Sequence, residues 1–140
     1  MMIVDGTIGL SVILLMAYGA IWDARKRIIP DIVPALLLFI GFAALFISGY
    51  SFWSIPLSDK MAGFVIPTMT MLTLQLFKKP VGGGDIKLSA ALGFLLGLKL
   101  FAAVFTVGSI LALVWALIRK QKSVPLGTFL AIGVVICLIL

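Results

Sequence analysis

The chain has no histidine, no glutamate and a single cysteine, and only 11% of its 140 residues are charged. Each scarcity removes a class of chemistry. Without histidine there is no Ser-His or Cys-His nucleophile, and none of the usual His-bearing catalytic zinc sites. Cys137, inside the last apolar run, builds neither a disulfide framework nor a cysteine-rich zinc site within one chain. Aspartate, lysine and tyrosine are left for proton chemistry. So little charge also excludes a soluble globule, in which about a quarter of residues are charged.

What is present is apolar: 63% hydrophobic residues and a mean hydropathy of +1.29. This composition predicts an all-α, polytopic membrane protein. Crossing about 30 Å of hydrocarbon takes roughly 20 helical residues, or about 17 at the short end. Six stretches are expected to do so: residues 3–22, 32–50, 61–77, a short fourth, 100–118 and 124–140. The start lacks the basic region of a secretory signal, so the first stretch is read as a retained span. Pro34 falls in the first turn of the second, where a missing N–H matters least. The fourth has only residues 88–98 uncharged, between Lys87 and Lys99. A run that short is either interfacial or takes Asp85 and Lys87 into its first turn, with Lys87 and Lys99 reaching to opposite surfaces.

The 11 basic residues against five aspartates give a net charge of +6. Their placement between apolar runs suits topology rather than nucleic-acid binding. Arg25, Lys26, Arg27, Lys78, Lys79, Lys87, Arg119, Lys120 and Lys122 fall on one side, and only Lys60 and Lys99 on the other. The positive-inside rule then puts both termini outside and Asp23, Asp31 and Asp85 on the cytoplasmic side. Tyr50 and Trp53 suit an interfacial aromatic belt. Gly93-x-x-x-Gly97 has the form of a helix-contact motif, but chance supplies such a pattern readily in an apolar sequence with 14 glycines.

Two aspartates stand out. Asp23 closes the first apolar stretch beside Arg25, Lys26 and Arg27; alone, it reads as a helix-end ion-pair partner. Asp85 follows Gly82-Gly83-Gly84, whose backbone freedom suits a tight turn or a groove in which another chain lies close. An ionisable group at the edge of an apolar segment is costly, and so a functional-site candidate. Two acids at the ends of different helices, on one side of a membrane, are placed to share a proton. One then acts as a base on water and the other protonates a departing amide nitrogen. Two other uses of the same aspartates fit the composition. A small transporter would bind a cation or relay protons through them, and a lipid phosphotransferase would hold Mg²⁺, though five aspartates spread over both faces supply few ligands. The glycine run is not a Walker loop, since no Gly-Lys-Ser/Thr follows it.

Three motifs, in order, carry a family resemblance. Gly82-Gly83-Gly84-Asp85-Ile86-Lys87-Leu88 resembles the G-x-G-D-x-K-L of the type IV prepilin peptidases and archaeal preflagellin peptidases, intramembrane aspartyl proteases. Asp23, with Arg27-Ile28-Ile29-Pro30-Asp31 after it, is similar to that family's first aspartate motif. Val124-Pro125-Leu126-Gly127-Thr128-Phe129-Leu130-Ala131 resembles its P-x-G-x-x-L-A segment. The resemblance covers essentially the whole chain as one transmembrane peptidase domain, 1–140. It implies Asp23 and Asp85 as the catalytic pair, with Gly82, Gly83, Gly84, Lys87, Asp31 and Pro30 as loop and substrate-contacting residues. It implies no metal, no cofactor and no covalent intermediate. The expected substrate is a prepilin-like membrane protein (type IV pilin, Flp/Tad pilin or archaellin) with a short basic leader, cut at the cytoplasmic face of the cell's inner membrane. The cysteine-rich loop of the longer, methylating members has no counterpart here, so the resemblance is to the short form.

Overall fold

A backbone kept from water must pair its own donors and acceptors, and long apolar runs do this as helices. The computed structural model describes residues 2–46, 55–77, 82–120 and 124–140, with no strand among them. In chain order the elements are α1 (Met2–Lys26), α2 (Ile32–Ala43) continuing into a 3-10 turn (Ala44–Phe46), α3 (Leu57–Leu76), α4 (Gly83–Arg119) and α5 (Leu126–Ile139). Two helices, Asp5–Lys26 and Gly83–Arg119, are long and apolar enough to cross a membrane; Ile32–Phe46 and Leu126–Ile139 are apolar but shorter. The expected belt residues Tyr50 and Trp53, the cations Lys78, Lys79 and Lys122, and Pro80-Val81 lie outside the described residues.

The expected fourth and fifth stretches form one long element, α4, broken at Gly97 (φ 74°, ψ 166°). The division falls at Gly97 rather than at the charged Lys99, because that φ is open to glycine at little cost. A Cβ there would also lie 2.5 Å from Asp59 Oδ2. Contacts on either side show the chain doubling back. At the start of α4 a Cβ on Gly84 would lie 3.1 Å from that of Ile29, just past α1. Near its end, the Trp115 ring is 6.2 Å from Phe129, close to the start of α5. That start is tied to the end of α1, with Thr128 Oγ1 donating to the Ala20 carbonyl at 3.2 Å. Both ends of α4 therefore reach one end of the bundle, and Gly97 the other.

Residues 88–97 of α4 are all buried. This half is the bundle's centre, and an apolar sequence on every face is what such a position needs. It approaches α3 most closely at Gly93, where a Cβ would collide with the Gly63 carbonyl. Pro67, four residues after Gly63, has no N–H to occupy that carbonyl, so it is open to a close helix contact. Gly93 is thus a close helix contact, whereas Gly97 is where the helix breaks, so the two glycines do not act together as one helix-contact motif. Around this centre the outer surface is apolar, with Phe39, Leu113, Leu117 and Ile118 exposed, as a lipid-facing surface would be.

Lys60 corrects the sequence reading, which counted it among surface cations. It is 0% exposed. Its ammonium donates to the Leu95 carbonyl at 3.4 Å and the Gly41 carbonyl at 3.5 Å, and lies 5.7 Å from the centre of the Phe94 ring. Both carbonyls belong to helix ends: Gly41 to the last turn of α2, and Leu95 to the turn before the Gly97 break. Such carbonyls lack intrahelical donors and carry the negative end of the helix dipole. One cation caps both helices, which is why a lysine is tolerated there.

Candidate active site

Asp23 lies in the last turn of α1, which stops when Arg27 adopts a left-handed conformation (φ 55°) with its N–H on the Asp23 carbonyl at 2.9 Å. Ile29 then turns inward and is buried. Pro30 shapes the turn into α2, its carbonyl accepting from Val33 N–H at 3.1 Å. The Asp23 side chain is only 5% exposed. Its Oδ2 accepts the Thr128 backbone N–H at 3.1 Å, with the Gly127 amide beside it. The first amides of a helix have no intrahelical acceptors and sit at its positive end, so the start of α5 is a socket for this carboxylate. Gly127 is needed for the fit: a Cβ there would lie 2.9 Å from Asp23 Oδ2 and 3.0 Å from Ile29 Cδ1.

Asp85 comes from the first turn of α4, its N–H on the Gly82 carbonyl at 3.0 Å. The glycines before it are not the free loop that the sequence suggested. Gly82 is the residue preceding the helix (φ −58°), Gly83 and Gly84 lie within it, and Gly97 is the positive-φ glycine among the described residues. Their use is spatial. Gly84 rests on Ile29, Gly82 lies under the Asp85 carboxyl with Oδ2 3.4 Å from where a Cβ would be, and Gly83 faces open space.

Asp23, Asp85, Asp31, Lys87 and Gly82, Gly83 and Gly84 line one cavity of about 300 Å³, with Arg27, Ile28 and Ile29 completing its wall. Of the residues singled out from the sequence, only Pro30 stands behind the cavity rather than in it. Lys87 Nζ and Asp31 Oδ1 pair at 2.8 Å, with side chains 58% and 77% exposed. Lys87 therefore turns to Asp31 across the rim of the cavity. Among the described residues, no three His, Cys, Asp or Glu side chains gather as a metal site would require. Two carboxylates on one cavity, one clasped by amides and one beside glycines, are equipped to orient a water and exchange protons with it. Sequence reasoning did not assign Arg27 to the wall, nor Gly127 and Thr128 to Asp23; the Pro125-x-Gly127 motif was the only signal for the latter.

Residues 10–117 match the family model described as the type IV leader peptidase family. The chain is similar to proteins named prepilin leader peptidase/N-methyltransferase. The one from Bacillus subtilis is 31% identical over 85% of this chain and 50% of its own length. That from Aeromonas salmonicida is 31% identical over 79% and 41%, and that from Xanthomonas campestris 31% over 91% and 47%. The chain thus spans about half the length of the curated relatives it matches, or less. No solved structure matches it.

Proposed function

Because the chain belongs to the type IV leader peptidase family, we propose that it is a membrane-embedded aspartyl endopeptidase that removes the leader from prepilin-like precursors. The observation that carries this reading is the convergence of Asp23 and Asp85 on one cavity, 62 residues apart in sequence. One carboxylate takes a proton from water as its oxygen attacks the carbonyl carbon of the scissile bond. The other, holding a proton, gives it to the amide nitrogen as the C–N bond breaks, leaving a leader carboxylate and a new amino terminus. Two neighbouring carboxyls in a poorly solvated site share one proton readily, so each turnover restores the pair.

The topology proposed with this chemistry has six crossings, both termini outside, and the cavity at the cytoplasmic face. The doubling back of α4 at Gly97 supports it, since it makes two oppositely directed segments of one element. So do the exposed apolar side chains around the bundle. The proposal covers leader cleavage alone, because the chain spans only part of relatives whose names join two activities.

The test is processing of a candidate prepilin in membranes by the wild type, Asp23→Asn and Asp85→Asn. The amides keep shape and hydrogen bonding but cannot hold or release the proton. Loss of the cleaved product in both, with normal membrane accumulation, is expected. Full processing by either variant removes the pair from the mechanism.

A further inference from the structure

Ser89 is a polar residue that the proposed chemistry does not use. Its side chain is 0% exposed, and its Oγ is the buried side-chain oxygen among the described residues left without a hydrogen-bond partner. Helical hydroxyls have a local remedy, the carbonyl four residues back. Ser11, Thr68, Thr70, Thr73 and Thr106 all take it, at 2.5–2.8 Å. Ser11, Thr70, Thr73 and Thr106 do so on the apolar outer surface, where lipid offers no other partner. Ser89, buried within the bundle, does not. A buried hydroxyl left in this state costs stability.

The residue four positions before Ser89 is Asp85. Side chains on a helix tilt toward its N-terminus, so the Ser89 hydroxyl overlies the turn that carries Asp85. In this structure the Asp85 carboxyl leans the other way, with Oδ2 over Gly82. Donor and acceptor are neighbours on one helix face, unbonded, separated by a rotation of the aspartate side chain.

Resting on the peptidase reading, we infer that Ser89 is a positioning residue for Asp85. When substrate fills the cavity, the Asp85 carboxyl swings off Gly82 and accepts the Ser89 O–H, which fixes it in the orientation that meets water and the scissile bond. The hydroxyl is unpaired in the resting structure because its partner arrives only in the working one. The bland account is that Ser89 is small for packing, like its neighbours Ala90, Ala91 and Gly93.

The two accounts differ in what Ser89→Ala does to catalysis. This variant removes the hydroxyl and keeps the volume nearly unchanged, so under both accounts the unfolding midpoint stays at or above that of wild type. The positioning role adds a fall in kcat of about tenfold or more, with KM within about twofold, because misorientation of a reacting group affects the transition state and not substrate binding. Ser89→Thr, which retains the hydroxyl, recovers most of kcat. The measurement is steady-state cleavage of a prepilin by the full chain in membranes, with thermal unfolding recorded on the same preparations. Wild-type kcat in Ser89→Ala overturns the role, as does equal impairment of the alanine and threonine variants. A wild-type chain that cleaves no candidate substrate overturns the peptidase reading itself, and this role with it.

Discussion

At one end of the central half of α4, Asp85 and Asp23 face an open cavity; at the other, Lys60 is sealed between α2, α3 and α4. Both ends hide an ionisable group in an apolar protein, yet they treat it differently. Lys60 is surrounded by its partners, two helix-end carbonyls and an aromatic ring, and none of its surface reaches solvent. Asp23 is nearly as buried, but its clasp comes from one side, the start of α5, and its other side belongs to a space shared with Asp85. A charge closed in by partners holds helices together. One left with an unfilled side can act on a guest.

The largest expected effect is at the open end. Asp85→Asn or Asp23→Asn lowers processing by about 10³-fold or more while leaving thermal unfolding near wild type, as loss of a general acid or base does. Gly127→Ala sharpens the same point without touching a carboxylate. The new methyl would sit 2.9 Å from Asp23 Oδ2, so the carboxylate must shift, and cleavage rates should drop about 10- to 100-fold as for a misplaced reacting group. Lys60→Met should invert the pattern. The Gly41 and Leu95 carbonyls lose their donor, and unfolding measured in detergent should show a loss of about 2 kcal/mol, with the cleavage rate of the folded fraction retained. If Lys60→Met abolished cleavage and left stability unchanged, the contrast between the two ends would fail.

The smallest effect belongs to the exposed pair. Asp31 and Lys87 line the cavity but are mostly in solvent, and such pairs contribute at most about 1 kcal/mol. Asp31→Asn should process substrate within about threefold of wild type. EDTA should change nothing, since the proposed proton exchange uses carboxyls alone.

Part of the candidate site was legible in the residues themselves. Charged side chains are so rare that Asp23 and Asp85 could be picked out singly, while Asp31 and Lys87 came with the family resemblance; the cavity gathers all four. Helical character was legible too, because an apolar chain has few other ways to pair its backbone. The start of α4 also follows expectation, with Asp85 and Lys87 taken into the helix. The role of the glycines was not legible. Composition reads Gly82, Gly83 and Gly84 as conformational freedom, and what the fold uses at Gly84 and Gly127 is the missing Cβ.

From its order of residues alone this chain settled that it is helical, that it is apolar throughout, and which few side chains are available for proton transfer. Those properties depend on local composition and on a covalent inventory that folding leaves unchanged. Tertiary structure decided the rest: that Lys60 caps helices instead of reaching solvent, that the chain reverses at Gly97, that the start of α5 receives Asp23, and that Ser89 has no partner. Each depends on which helix end or backbone amide arrives from elsewhere in the chain, and no window of neighbouring residues contains that information.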